Sequence, residues 1–195
     1  MKQHRIALIT RSIPSHRTGG MEYVGWDLAT ELVRQGVDVS VLTTRLDMPS
    51  PVANVDGVNV IAVQEARPGQ YSPGWWTGSV KYFKRYLAKW VTGVLSISAG
   101  GYAVVRHKDA LGIHVPFVMQ AHGTSRAEVR SKLRSQDIRQ LLTIPRNAAW
   151  YVVDSVMYRR FDAIVAVGKR VYEDLRHWPG LHEKLVLINN GVDGR

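Results

Sequence analysis

The feature that most constrains the fold is a regular alternation between short apolar runs and longer amphipathic stretches. The first run, RIALIT at residues 5–10, is rich in β-branched side chains and suits a buried parallel strand. The next stretch, residues 20–35, repeats apolar side chains at helical spacing and stops at Gly36. Strands that alternate with helices require right-handed crossovers and a mostly parallel sheet covered on both faces. The pattern therefore predicts an α/β fold with a doubly wound sheet.

The same reasoning applied to the whole chain predicts seven strands and six helical stretches. The predicted strands are residues 5–10, 37–42, 58–63, 94–98, 115–120, 163–167 and 184–188. The predicted helices are residues 20–35, 77–92, 101–108, 126–139, 144–158 and 169–177. Ligands of doubly wound sheets bind at the carboxyl ends of the strands. Candidate site residues are therefore expected in the loops that directly follow strands.

The charge of the chain is strongly positive, with a formal net charge of +10 over 195 residues. No acidic residue occurs between Glu65 and Asp109, although seven lysines and arginines do. Such an excess indicates an anionic partner: a phosphorylated substrate, an acidic lipid surface or nucleic acid. The charge alone leaves these three classes open.

The chain contains no cysteine, which excludes disulfides and thiolate metal sites from these 195 residues. The opening MKQHRIALIT has a positive flank, but its apolar run is too short for a signal peptide. No stretch reaches the roughly 18 uncharged apolar residues of a transmembrane helix. We therefore expect a cytoplasmic protein.

A pair of glycines stands where the first predicted loop enters the first predicted helix. The loop lacks the G-x-G-x-x-G spacing of a dinucleotide-binding turn, which disfavours a dehydrogenase. Without Cβ atoms, Gly19 and Gly20 allow backbone amides to approach a bulky anion at the positive end of a helix. The residues leave a second interpretation open, in which the pair is a hinge or a close-packed position.

Four motifs in order resemble retaining GT-B glycosyltransferases of the glycosyltransferase family 4 type. The first is the apolar strand, a loop with Pro14, the Gly-Gly pair and a helix that ends in RQGVDV. The others are AHGT at 121–124, FDAIVAVGKRVYEDL at 161–175 and INNGVD at 188–193. The resemblance spans essentially the whole chain and implies a Rossmann-like domain, the N-terminal, acceptor-side half of a GT-B fold.

The resemblance assigns a role to the Gly-Gly pair and to one histidine. It implies that Gly19 and Gly20 approach the donor phosphates in a cleft between two domains. It also implies that His122 contacts the donor sugar through a hydrogen bond that positions and polarises it. Without the resemblance, the residues favour a loop histidine bonded to the main chain.

Further residues are expected around the same cleft. Thr124 and Arg126 are predicted to line the acceptor side. Gly168 stands where the family often has serine, so a hydroxyl contact is lost while the backbone amides stay accessible. Lys169 supplies a charge in its place, unless it is only a solvated surface residue.

The resemblance also sets the expected domain organisation and reaction. Residues 1–188 form one Rossmann-like domain, and residues 189–195 begin the linker to a C-terminal nucleotide-sugar-binding domain that is absent from this chain. The expected reaction moves a sugar from a nucleotide-diphosphate donor to a glycan, lipid-linked or small-molecule acceptor, with no cofactor and no metal ion. The fragment alone is expected to be inactive, and polysaccharide biosynthesis is the expected process.

A basic, aromatic segment at residues 72–95 has two interpretations. On a continuous helix Phe83, Leu87, Trp90 and Val94 would share one face, and cations would cover the other. That pattern is typical of a helix lying on an anionic membrane, here the inner face of the cell membrane. It is equally typical of a core-packed helix with a solvated basic face.

A rival function belongs to a different class of protein. A non-catalytic α/β domain could use its basic surface to bind nucleic acid or another polyanion. No nucleic-acid-binding motif is recognised, and the Gly-Gly and NNGVD placements would go unexplained. We therefore expect no nucleic-acid partner.

Overall fold

The computed structural model describes residues 4–127 and 144–191 of the chain. The chain divides into two compact units, Met1–Val118 and Met119–Arg195. In the described ranges, no helix has both the length and the apolar character that a membrane crossing demands.

The first unit is built on a mostly parallel sheet. Its strands are β1 (Arg5–Ile9), β2 (Asp38–Thr44), β3 (Val52–Val55), β4 (Val58–Val63) and β5 (Gly93–Ile97). Their order is β3-β4-β2-β1-β5, and all neighbours except β3 and β4 run parallel. The next strand, β6 (Phe117–Ala121), begins in this unit and ends in the second. Because β1 is flanked by β2 and β5, the loop that follows it leaves from an interior position of the carboxyl edge.

Three helices connect these strands: α1 (Gly20–Arg34), α2 (Pro73–Tyr86) and the short α3 (Tyr102–Arg106). The predicted stop of α1 is confirmed: Gly36 has a φ of 84°, a conformation that glycine adopts without strain. The amide of Val37 then donates to the carbonyl of Leu32 over 3.0 Å, which closes the helix end.

A buried apolar core holds α1 against one face of this sheet. Leu8, Val39, Val41, Val58 and Val60 alternate along their strands and are at most 1% exposed. They meet the small residue Ala29 of α1, with Trp26 and Leu32 at the margin. This packing holds α1 against β1, β2 and β4.

The strand β3 is a difference from the sequence prediction. It pairs antiparallel with β4 through a two-residue turn, in which Asp56 and Gly57 have φ values of 52° and 82°. Positive φ at both positions is the hairpin geometry that Asp-Gly favours. Val52 and Val55 lie exposed in this strand, so no apolar alternation marked it.

Among the described residues, the second unit contains the end of β6, the parallel pair β7 (Ala163–Ala166) and β8 (Leu185–Leu187), and two helices longer than one turn. The helices are α4 (Ile144–Met157) and α5 (Lys169–Leu175). The ring of Trp178 stacks on Tyr158 at 5.2 Å and meets the edge of Tyr151 at 5.2 Å. Trp178 therefore joins α4 and the residue that follows it, Tyr158, to the segment after α5.

The predicted fold class, a mostly parallel Rossmann-like α/β fold, is confirmed. Most of the predicted helix at 126–139 lies outside the described residues. The predicted domain boundary after residue 188 stays a prediction.

The basic, aromatic segment is not one continuous helix. α2 ends at Tyr86, and Val94 belongs to β5. Phe83 and Leu87 are fully buried and Val94 is 3% exposed, so most of the predicted apolar face packs in the core of the first unit. Lys84 and Arg85 are exposed on the other side of α2. The core-packed interpretation describes this helix.

Candidate functional site

The Gly-Gly loop, residues 11–20, leaves the carboxyl end of β1 and enters α1. Gly19 precedes the helix with an extended backbone, and no side chain at that position caps the helix. Gly20 is the first helical residue and is exposed. A Cβ built on Gly20 meets no heavy atom within 4 Å. The space beside this residue is therefore open.

Gly19 lacks a side chain for a different reason. A Cβ there would collide with Oε2 of Glu22. That carboxylate is held by Ser12, whose Oγ donates to Oε1 over 2.6 Å, and by Arg17, whose Nε donates to the same oxygen over 2.9 Å. Glu22 is 3% exposed, so it has little freedom to move aside. Close packing thus accounts for Gly19, while Gly20 has open space.

Glu22 also sets the charge at the start of α1. Burial raises the pKa of Glu22, but the hydrogen bonds from Ser12 and Arg17, together with the Arg17 charge, more than offset this and hold the pKa below its ordinary value. The carboxylate is therefore ionised at neutral pH and paired with Arg17 at 2.8 Å. An anion approaching Gly20 meets the helix amides beside an ion pair of zero net charge, not beside an isolated negative charge.

In the second unit, β6 leads directly into the AHGT segment. His122 is partly buried, and Gly123 is exposed with open space where a Cβ would lie. Thr124 is 2% exposed, and its Oγ1 accepts a hydrogen bond from the amide of Ala127 over 3.0 Å. Residues 125–127 are helical, so the Thr124 hydroxyl caps this turn. Arg126 lies exposed beside it.

A contact that the sequence did not indicate fixes this turn. Ser125 Oγ donates a hydrogen bond to a carboxylate oxygen of Asp154 on α4. Asp154 is 5% exposed. The two residues are 29 positions apart, and neither stands in a recognisable motif, so only the fold reveals the pair.

The ends of the last three strands lie side by side. The amide of Val167, after β7, donates to the carbonyl of Ala121 over 3.3 Å. The amide of Asn190, after β8, donates to the carbonyl of Val167 over 3.2 Å. Gln120 Nε2 donates to Asn190 Oδ1 over 3.4 Å. These bonds bring the AHGT segment, the Gly168 turn and the NNG turn together at one edge.

The Gly168 turn resembles the start of α1. Gly168 precedes α5 with an extended backbone, and no side chain there caps the helix. A Cβ at Gly168 would also meet nothing within 4 Å, so a serine would fit sterically. Lys169 is exposed and follows immediately.

The seven candidate residues divide between the two units. Gly19 and Gly20 belong to the first unit, whereas His122, Thr124, Arg126, Gly168 and Lys169 belong to the second. In the ranges that the structure describes, no group of three or more histidine or acidic side chains is placed to hold a metal ion.

Known proteins resemble this chain in sequence pattern and in fold. Residues 18–194 match Glycosyltransferase Family 4. No curated protein matches the chain by sequence. Sucrose-phosphate synthase from Thermosynechococcus elongatus is similar in structure, with a TM-score of 0.70 and 18% identity, over 97% of this chain and 49% of that protein.

Two further solved structures share the fold. Arabidopsis thaliana UGT89C1, complexed with UDP-L-rhamnose, has a TM-score of 0.58 and 11% identity, over all of this chain and 50% of its own. The glycotransferase of kitacinnamycin has a TM-score of 0.54 and 15% identity, over all of this chain and 53% of its own. The chain therefore spans about half the length of these proteins. With the family match covering most of its residues, the chain belongs to Glycosyltransferase Family 4 and has the fold of an N-terminal-type GT-B domain.

Proposed function

We propose that this chain is the acceptor-side domain of a retaining glycosyltransferase. The enzyme moves a sugar from a nucleotide-diphosphate donor to a glycan, lipid-linked or small-molecule acceptor in polysaccharide biosynthesis. Family membership supports the reaction class. The donor, the acceptor and the stereochemical course are parts of the proposal.

The observation that carries the proposal is the open, exposed position of Gly20. It is the first residue of a helix of 15 residues, which follows the interior strand β1 after the Gly-Gly loop. The amides of a helix start attract an anion, because their partial charges are unsatisfied by the helix itself. A diphosphate is a suitable anion, because the missing side chain of Gly20 leaves open the space that its oxygens need.

In this proposal the second unit contacts the transferred sugar and the acceptor. His122 donates or accepts a hydrogen bond at the donor sugar and does not abstract a proton. The acceptor proton passes to the donor's own phosphate, as the family resemblance implies. The amide after Gly168 and the charge of Lys169 face the same substrates, and Thr124 and Arg126 lie towards the acceptor.

The proposal includes a second domain and a cellular location. A C-terminal nucleotide-sugar-binding domain grips most of the donor, so this chain alone binds the donor weakly and does not turn it over. The enzyme works in the cytoplasm, at the inner face of the membrane. The exposed cations of α2 support a peripheral contact with anionic lipid.

A substitution at Gly20 tests the donor site without disturbing the fold. Gly20→Leu should leave the free energy of unfolding unchanged or raise it by up to about 1 kcal/mol, because leucine favours helix over glycine. It should weaken binding of UDP-glucose or GDP-mannose at least tenfold, because its side chain occupies the phosphate position. Wild-type binding is expected near a millimolar dissociation constant, about −4 kcal/mol, and chemical-shift titration by NMR measures it.

The matched control places the same side chain at the far end of α1. Gln35→Leu lies at the C-terminal cap of that helix, and should bind both donors as the wild type does. Equal affinity of the Gly20→Leu and wild-type chains would refute the donor site. Absence of any donor-induced shift at Gly20 and His122 in the wild type would refute the proposed function itself.

A further inference from the structure

Arg11 carries the inference, because it is a partly buried cation to which no acidic residue of the described ranges is paired. It follows β1 at the carboxyl edge of the first unit, and its guanidinium lies 5.0 Å from the ring centre of Tyr71. Tyr71 in turn stacks on Trp76 at 5.0 Å with an interplanar angle of 22°. The described part of the chain provides no carboxylate to Arg11, and its Nε is buried without a hydrogen-bond partner.

The segments around Arg11 are joined by hydrogen bonds. Thr44 Oγ1, at the end of β2, donates to the carbonyl of Arg11 over 2.6 Å and accepts from the amide of Gly69 over 2.8 Å. One hydroxyl therefore ties together the loops that follow β1, β2 and β4. Tyr71 lies two residues after Gly69. The two hydrogen bonds of Thr44 Oγ1 therefore hold the backbone of Arg11 and the segment that carries Tyr71.

A histidine strengthens this tie. The amide of Ile13 donates to His16 Nδ1 over 3.2 Å, which leaves Nε2 to carry the proton. Nε2 lies 3.1 Å from the carbonyl of Arg45 and 3.3 Å from that of Thr44. Burial lowers the pKa of His16 below its ordinary value, against the opposing effect of these carbonyls, so the neutral form that fits this geometry prevails at neutral pH.

We propose that Arg11 binds a phosphate group of one of the two substrates. A guanidinium presents a planar fork of donors that matches phosphate oxygens in pairs. Arg11 is only partly buried, and its contact with the Tyr71 ring uses none of the hydrogen-bond donors of the fork. The phosphate belongs to the acceptor or to the donor's diphosphate, and only this choice of source rests on the proposed function.

Titration of the 195-residue chain with three probes separates the two sources. Glucose 6-phosphate represents a phosphorylated acceptor, UDP represents the donor, and glucose is the uncharged control. Binding is followed by NMR and by the fluorescence of Trp76, which adjoins the stack. We expect at least one phosphate probe to bind and glucose not to bind.

Arg11→Gln should weaken that binding at least tenfold, and Arg11→Lys by a smaller factor, because lysine keeps the charge and loses the fork. Arg106→Gln is the matched control, since Arg106 is exposed at the C-terminal end of α3. Thermal unfolding of each variant confirms that it is folded. If Arg11→Gln does not fold, Arg11→Lys alone decides, and unchanged affinity in it overturns the proposal.

The possible outcomes are distinct from those of the Gly20 experiment. Loss of binding in Arg11→Gln for glucose 6-phosphate assigns the phosphate to the acceptor, and loss for UDP assigns it to the donor. No binding of either probe, equal binding in Arg11→Gln, or equal loss in Arg106→Gln would overturn the inference. An Arg11-dependent phosphate site in a chain whose Gly20 binds no donor would leave this inference standing and refute the proposed function.

Discussion

Glu22 shows how much one buried carboxylate can determine at the scale of a residue. It holds Ser12 and Arg17, it excludes a side chain from Gly19, and it supplies the only acidic group of the first turn of α1. The sequence left a close-packed position open as one interpretation of the Gly-Gly pair, but it did not identify Glu22 as the contact at Gly19. Partners that lie 10 and 5 positions away in a loop have no periodicity that could reveal them.

Removing the charge of Glu22 should destabilise the chain in a pH-dependent way. Glu22→Gln should lower the free energy of unfolding at pH 7 by about 1–2 kcal/mol, since hydrogen bonds to a buried charged group are lost. The folded pKa of Glu22 lies below its unfolded value near 4.3, so its contribution is full above that value and is lost as the pH falls through the folded pKa. The difference between variant and wild type should therefore shrink below about pH 4.

Urea unfolding from pH 7 to pH 3 measures this difference. Glu31→Gln is the control, because Glu31 pairs with Arg34 on the surface of the same helix. Exposed ion pairs of this kind contribute less than about 1 kcal/mol to the free energy of unfolding, so this substitution should have a smaller effect. A constant difference across the pH range would show that the Glu22 charge does not stabilise the fold.

At the scale of elements, the regular strands were predictable and their irregular neighbours were not. Buried strands are recognisable from their apolar composition. The predicted bounds of β4, for example, agree with the structure. The strand β3 has no such signature, because its side chains are largely exposed and its pairing depends on the Asp-Gly turn. The helix α2 begins four residues before its predicted start, at a Ser-Pro pair in which Ser72 Oγ accepts from the amide of Trp75.

The position of α2 depends on two glycines one turn apart. A Cβ on Gly74 would collide with the carbonyl of Glu65, and one on Gly78 with the side chain of Val63. Both contacts lie at or just beyond the end of β4. The helix therefore lies closer to this strand than larger residues would permit.

Gly74→Ala should reverse the usual preference for alanine in a helix. Alanine normally stabilises a helix by about 1 kcal/mol over glycine. Here the colliding atom is backbone, which cannot rotate away, so we expect a loss of about 2 kcal/mol in the free energy of unfolding, within the range for overpacking. Chemical denaturation measures it, with Gly20→Ala as the control because that position has open space. A Gly74→Ala chain as stable as the control would show that the close approach is not required.

At the scale of the whole molecule, the charge distribution separates two kinds of membrane contact. The apolar side of α2 is used in the core, where Trp75 and Phe83 are fully buried. The outer side carries exposed cations, and the chain as a whole has a net charge of +10. Any attraction to lipid through α2 is therefore electrostatic and does not depend on insertion of a helix face. The rival interpretation, binding of nucleic acid, would depend on the same charge.

Vesicle sedimentation should show this electrostatic character. The chain should bind vesicles that contain acidic lipid at low salt, release them near 1 M salt, where the Debye length falls to about 3 Å, and ignore neutral vesicles. The combined substitutions Lys84→Gln and Arg85→Gln on α2, with Lys89→Gln in the turn just after it, should weaken binding about 100-fold, at about 1 kcal/mol for each cation.

The control changes three exposed cations elsewhere, Arg106, Arg159 and Arg176, to glutamine. Equal weakening in both triple variants would show a diffuse attraction instead of a surface on α2. Binding to neutral vesicles would show that apolar insertion occurs after all.

The hydroxyl of Thr44 has a consequence for how this domain can be re-engineered. The hydroxyl binds the backbones of residues 11 and 69 at the same time. The segments after β1, β2 and β4 are therefore connected through one side chain. Grafting one of these segments from a relative would leave the other two without their common anchor. Chimeras that exchange all three together, threonine included, are the ones in which a transplanted specificity should survive.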